Sequence, residues 1–253
     1  MILKKFILVV IATIICLTAQ AATTPLTQVQ EFFQQAGRYY KQGDYLKAGD
    51  LYRRILDGGW ESGAVYFNLA NSYFKEDDLG RAILNYERAR LLLPRDPEVR
   101  ANWEYARSLV RKDVADRPQS FWSRIQQSFV DFFSLNEMTF ILVCSFGLML
   151  AGHILCLYFP VSIRWRRIIL AGLAMTFLLF LGGTFLKIRQ VDLMAVAVEQ
   201  TPARFEPRSN ATVHFSLPPG TKVRIIGRDS GWVKILRVDQ KKAWVPLEAV
   251  ERI

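Results

Sequence analysis

Residues 138–159 and 168–187 are two apolar runs with no Asp, Glu or Arg, and no Lys before Lys187. Each is about the 20 residues a helix needs to cross a bilayer. Only residues 160–167 separate them, a turn that carries Arg164, Arg166 and Arg167 and no acid. Two spanning helices joined so tightly run antiparallel, because each must satisfy its own backbone hydrogen bonds in lipid. Residues 138–187 are therefore expected to form a transmembrane hairpin. The chain before Met138 then shares a compartment with the chain after Lys187.

The N-terminus sets the side. Lys4 and Lys5 precede an apolar core from Phe6 to Leu17, and Ala19-Gln20-Ala21 offers a small-x-small cleavage site, so residues 1–21 read as a signal peptide. An uncleaved anchor helix is the alternative. Either way residue 22 onward lies outside the cytoplasm, and Arg164, Arg166 and Arg167 stay inside, as positive-inside topology asks. The net charge of +10 is spread rather than blocked. It gathers at membrane edges (Lys4-Lys5, Arg164 to Arg167, Lys187 and Arg189), which favours a membrane surface over nucleic acid as its counterpart. Cys16, Cys144 and Cys156 all fall in apolar runs, and the last two sit about 18 Å apart on one helix, too far to pair. Soluble parts without cysteine fit an oxidising compartment.

Residues 29–62 and 63–96 repeat one another. Phe32 aligns with Tyr66, Ala36 with Ala70, Tyr39 with Tyr73, Ala48 with Ala82 and Tyr52 with Tyr86, and the second copy continues to Ala89 and Pro94. This succession of aromatic and small residues resembles the tetratricopeptide repeat (TPR) family. The first copy departs from it at Gln35, Ile55 and Trp60, with Gly58-Gly59 still supplying a turn. Asp96-Pro97-Glu98 starts a further helix whose Val99, Trp103, Ala106 and Val110 recur at helical spacing, as a capping helix would. Residues 27–113 are thus expected to hold two repeats and a cap. The resemblance implies a ligand groove on the inner helices, presenting Phe33, Tyr40, Lys41, Phe67, Asn71, Phe74 and Lys75. A carboxylate clamp of the kind some TPR domains carry is not expected, since only Asn68 fits it, while Phe33 and Gly37 stand where Lys and Asn are needed. The aromatic, mildly basic groove suits an extended or helical protein segment; alternatively its aromatics pack on neighbouring elements.

Residues 121–135 form an aromatic amphipathic stretch, with Phe121, Trp122, Ile125, Phe129, Phe132, Phe133 and Leu135 on one helical face. The pattern predicts a helix in the membrane interface plane, or one packed on the helical stack. Ser134 to Glu137 reads as a capping box that starts the first spanning helix. His153 is the one titratable side chain inside the runs; it fits a polar packing contact or a proton path.

From residue 188 to 253 the pattern turns to short alternating runs broken by Pro218-Pro219-Gly220, Asp229-Ser230-Gly231 and Asp239 to Lys242, which reads as a small all-β barrel. Leu217 to Val223, Ser230 to Ile235, and Ala243 to Pro246 with the following Leu247 to Val250 resemble the bacterial SH3 (SH3b) family. That resemblance implies an SH3-like barrel whose surface aromatics bind peptides or cell-wall glycopeptides. Trp232, Trp244 and Pro246 are the candidates, unless the tryptophans fill the barrel's core.

The expected fold is therefore a multidomain membrane protein: all-α TPR repeats, a two-helix transmembrane hairpin and a small SH3-like barrel. The order of parts is similar to that of the BatE-like TPR–SH3 proteins of bacterial aerotolerance (Bat) operons. That resemblance implies a multi-pass protein of the bacterial inner membrane, with both soluble modules in the periplasm and von Willebrand A-domain membrane proteins as partners. The soluble regions hold one histidine, His214, and no phosphate loop or nucleophile motif. The expectation is a non-catalytic adaptor with no cofactor and no metal, contacting protein partners and the lipid bilayer; the alternative is a peptidoglycan-binding anchor acting through the SH3b part.

Overall fold

The computed structural model describes residues 23–110, 121–158 and 162–253. The signal segment 1–21, the linker 114–120 and Pro160 of the hairpin turn lie outside the described residues.

Five helices come first: α1 (Thr23–Lys41), α2 (Tyr45–Asp57), α3 (Gly63–Lys75), α4 (Leu79–Leu92) and α5 (Pro97–Leu109). The sequence period reappears in the backbone. Between α1 and α2, Gly43 takes φ +83° and the Asp44 carboxylate accepts from the Lys47 amide at 3.2 Å. At the matching positions between α3 and α4, Asp77 takes φ +60° and Asp78 accepts from the Arg81 amide at 3.0 Å. Left-handed backbone disfavours most residues with a Cβ, and Asp is among the few that adopt it. Ala36, Ala48, Ala70 and Ala82 are fully buried where helices meet, and Tyr52 and Tyr86 fill equivalent space beside them. α5 is capped by Asp96, which accepts from Glu98 and Val99 amides, with Pro97 in the first turn.

Next come α6 (Phe121–Phe132), α7 (Leu135–Tyr158) and α8 (Ile163–Leu193). α7 and α8 are both long and apolar enough to cross a membrane. Ser134 and Glu137 make the reciprocal pair of a capping box at the start of α7: Glu137 accepts from the Ser134 amide at 2.8 Å, and Ser134 Oγ from the Glu137 amide at 3.2 Å. α6 is seated on α8. Phe129 and Phe133 lie edge-on to Phe180 at 5.6 and 5.5 Å, and Phe129 reaches so close to Gly183 that a Cβ there would stand 3.0 Å from its ring. Lys187 Nζ then donates to the carbonyls of Val130 and Phe133, which the end of α6 leaves without intrahelical partners. Phe121, Ile125 and Phe132 of α6 remain exposed.

α8 runs past Lys187 and enters β1 (Met194–Ala197) without a loop. The other strands are β2 (Thr201–Arg204), β3 (Val213–Leu217), β4 (Lys222–Asp229), β5 (Trp232–Leu236), β6 (Lys242–Pro246) and β7 (Val250–Arg252). They form one antiparallel sheet in the order β3-β2-β6-β5-β4-β1-β7. The sheet is open, not the closed barrel expected. β1 is held between β4 and β7, while β2 bulges between Ala203 and Arg204 and meets β6 at the single pair Arg204–Trp244. β3 and β7 are left as free edges. Ala195, Val223, Ile225, Val233, Ile235 and Val245 form the core on one face. The turn from Asp239 to Lys242 has no glycine; Gln240 takes φ +69°, and the Arg237 guanidinium braces it with two bonds to the Asp239 carboxylate, at 3.0 and 2.7 Å.

The helical stack and the sheet share a core. Val196 and Val198 pack with Ile83, Leu84 and Ala82 of α4. The approach is close enough that a Cβ on Gly80 would overlap the Val198 backbone, and one on Gly220 would fall 2.5 Å from Ile83 Cδ1. Gly80→Ala is therefore expected to destabilise the full chain by about 1–3 kcal/mol, the usual penalty of overpacking. Gly37→Ala, whose new methyl would meet only the Tyr52 hydroxyl at 3.9 Å, should leave stability unchanged or raised. Thermal unfolding of the two variants in detergent checks this.

Candidate functional site

The first helices of the two hairpins, α1 and α3, carry the residues read as a groove. The structure splits them into two groups. Phe33 turns edge-on to Tyr52 at 5.6 Å, and Phe67 packs against Tyr86 at 6.0 Å, so these two rings serve helix packing. Tyr40 lies against Tyr45 at 5.1 Å, and burial, with a smaller contribution from Tyr45, raises its hydroxyl pKa. Phe74 meets Tyr105 at 5.8 Å, and Tyr105 is 59% exposed. Lys41 and Lys75 are exposed at the ends of their helices. Asn71 Oδ1 accepts from the Tyr86 hydroxyl at 2.6 Å and from Asn102 Nδ2 at 3.1 Å, tying α3 to both α4 and α5. The Asn68 amide donates back to the Ala64 carbonyl of its own helix at 3.0 Å.

Asn102 and Tyr105 were missed from the sequence. Carrying the repeat period once more, from Asn68 and Asn71, lands on them; α5 is thus a third inner helix as well as a cap. Tyr105 and the half-exposed Leu109 extend the surface that Phe74 and Lys75 begin.

On the sheet, strand alternation decides where the tryptophans point. Val233, Ile235, Ala243 and Val245 face the core, so Trp232, Lys234, Trp244 and Pro246 share the opposite face. Trp232 stands opposite Pro246 and Lys234 opposite Trp244, with the Lys234 ammonium 5.5 Å from the Trp244 ring centroid. Both indoles are partly exposed rather than part of the core. Arg164, Arg166 and Arg167 occupy the first turns of α8, at the end opposite Lys187.

Charges join the modules. Glu87 of α4 is buried, and its Oε2 accepts from Lys222 of β4 at 3.1 Å and from Arg90 at 3.2 Å. Burial alone would raise its pKa; Lys222 and then Arg90 outweigh that and hold it below the ordinary carboxylate value. Arg88 donates to the Arg252 carbonyl at 2.6 Å and lies 3.6 Å from the Glu251 carboxylate, fastening α4 to β7. Arg95, just before α5, bonds Glu137 at the start of α7 and lies over the Phe132 ring at 5.0 Å. No group of acidic, His and Cys side chains able to hold a metal occurs among the described residues.

The bacterial SH3 domain family matches residues 201–251, which run from β2 to β7. β1 lies outside the matched range yet supplies the pairing edge for both β4 and β7. No curated protein matches the chain.

Replacing Glu87 by Gln removes the buried carboxylate and leaves Lys222 and Arg90, which keep some contact with water, without their partner; the expected loss is about 1–3 kcal/mol at neutral pH. A lowered pKa in the folded state contributes stability above the ordinary carboxylate pKa and loses it as pH falls through the lowered value. The gap between wild type and Glu87→Gln should therefore be full at pH 7 and narrow on acidification below about pH 4.5. Unfolding curves across that range provide the check.

Proposed function

We propose that this chain is a non-catalytic, membrane-anchored adaptor that holds a protein partner on a tetratricopeptide-type stack, with an SH3b module beside it on the periplasmic side of a bacterial inner membrane. The observation that carries the reading is the exposed Tyr105 ring lying on the partly buried Phe74, with the exposed cation Lys75 next to Phe74 in the chain and Lys41 exposed at the equivalent end of α1. Exposed aromatic side chains with cationic neighbours are the usual anchors of a protein interface. The repeated caps and buried alanines support the tetratricopeptide assignment, and the two long apolar helices support the anchor. The stack, the hairpin and the SH3b module occur in the order of the BatE-like proteins. This favours partners in an aerotolerance or envelope-stress complex, von Willebrand A-domain membrane proteins among them.

The second reading, anchoring to peptidoglycan through the SH3b module, draws on the family match and on the exposed Trp232, Trp244 and Pro246. Two measurements separate the readings. Lys41→Glu and Lys75→Glu combined with Tyr105→Ala should reduce recovery of A-domain membrane proteins by the full chain at least about tenfold, since tyrosine is a typical hot spot and the two reversals change the sign of the surface a partner must complement. Unchanged recovery would remove the groove from the adaptor reading. Sedimentation of the same variant with isolated cell wall should stay as in wild type. For topology, a periplasm-active reporter fused after Ile253 must be active and one inserted between Arg164 and Arg166 silent; the reverse pattern sinks the orientation.

A further inference from the structure

The outer face of the sheet, whose tryptophans the cell-wall reading uses, also carries a charge pattern that neither that reading nor the groove uses. Three cross-strand rows lie about 7 Å apart, two residues per step. One row runs Arg224–Leu236–Lys242, the next Gly227–Lys234–Trp244–Arg204, and the third Asp229–Trp232–Pro246. Arg224, Lys234 and Lys242 have no carboxylate partner among the described residues. The one acid in the rows, Asp229, sits at the margin, where it accepts from the Ser230 hydroxyl at 3.0 Å. Lys222, on the same strand as Arg224, shows the contrast: it has a carboxylate, Glu87, and is used to join the modules.

Lys234 is the diagonal neighbour of both Arg224 and Lys242, so the three side chains together make this face electropositive. We infer that this face docks an acidic segment of a partner protein, with Trp232 and Trp244 as its apolar anchors and Arg224, Lys234 and Lys242 as its charge contacts. Charge complementarity selects the sign of the partner. Tryptophan and arginine are the residues that dominate protein interfaces, which favours a protein over other polyanions. The face is also a sheet surface, not a cavity. The clefts of about 720 and 410 Å³ lie elsewhere, along α2 and α4.

The test uses the full chain in detergent, a short fluorescent poly-L-glutamate peptide, and anisotropy as the readout. Wild type should bind, more weakly as salt rises. Neutralising Arg224→Ser, Lys234→Ser and Lys242→Ser together should lower affinity at least about tenfold, and Trp244→Ala alone several-fold. Neutralising Lys41 and Lys75 instead should leave binding unchanged, which keeps this surface distinct from the groove. As a gain of function, Arg224→Glu, Lys234→Glu and Lys242→Glu should bind poly-L-lysine in place of poly-L-glutamate. The inference is overturned if the neutralised face still binds poly-L-glutamate as wild type does, or if the groove variant is the one that loses it. It is equally overturned if the face sediments with cell wall and ignores the peptide.

Discussion

Helix α4 cannot belong to one module alone. Of its 14 residues, eight are buried, and the run from Ala82 to Glu87 is buried without a break. A helix at the edge of a stack would bury one stripe and leave the opposite face wet. Here Ala82, Tyr86 and Ala89 face the other helices, while Gly80 and Ile83 press on the sheet. The second contact is close because glycine stands at both points of nearest approach, Gly80 and Gly220. Such proximity also forces a charge problem. Glu87 lies where water cannot reach it, and a buried carboxylate is tolerable only when paired and hydrogen-bonded. Lys222 supplies the partner from the other module, so each module completes the other's electrostatics.

The fastening of that shared helix extends to the two long apolar helices. α5 follows α4 across a short turn, and Arg95 in that turn bonds Glu137, the residue that also closes the capping box of α7. From the other direction, α8 continues into β1 without an intervening loop, and Val196 of β1 packs on α4 beside the contacts from β4 and β7. Lys187 adds a third fastening by capping α6. The hairpin thus connects to the soluble part at both of its outer ends, through an ion pair at one and an unbroken backbone at the other. A helix running straight into a strand transmits rotation, whereas a glycine-rich linker would absorb it.

The helical half was legible because its signals are local. The cap at Asp96, the period of the buried alanines and the Ser134–Glu137 box all show in the chain's local pattern. What the sequence left open depended on long-range partners. α6 has an apolar face, but nothing in its own residues says that Phe180, Gly183 and Lys187, more than 45 residues later, receive it. The sheet's failure to close has the same origin: strand patterns show which side chains alternate, not that β2 meets β6 at one pair only. Alternation did contain the answer for both tryptophans, since Trp244 lies between the core residues Ala243 and Val245, and Trp232 directly precedes the core residue Val233. Asn102 and Tyr105 were readable too, given one further step of the period. The junction was the least legible part, because Glu87 reads as an ordinary exposed helix position until the sheet is laid over it.

Rigid placement changes what two binding surfaces can do together. On a flexible tether, a second contact gains from effective concentration over a wide range of partner shapes, and the gain falls slowly with linker length. When α4, Glu87 and Lys222 fix the inner helices relative to the sheet, the second contact gains only if the partner presents both epitopes at the matching spacing, and gains nothing otherwise. Selectivity then comes from geometry as much as from the side chains at either surface. A partner that is itself a membrane protein meets that demand readily, because the bilayer already fixes its height and tilt. Under the adaptor reading proposed above, the same fastening that makes the modules one body would favour partners embedded in the same membrane over soluble ones.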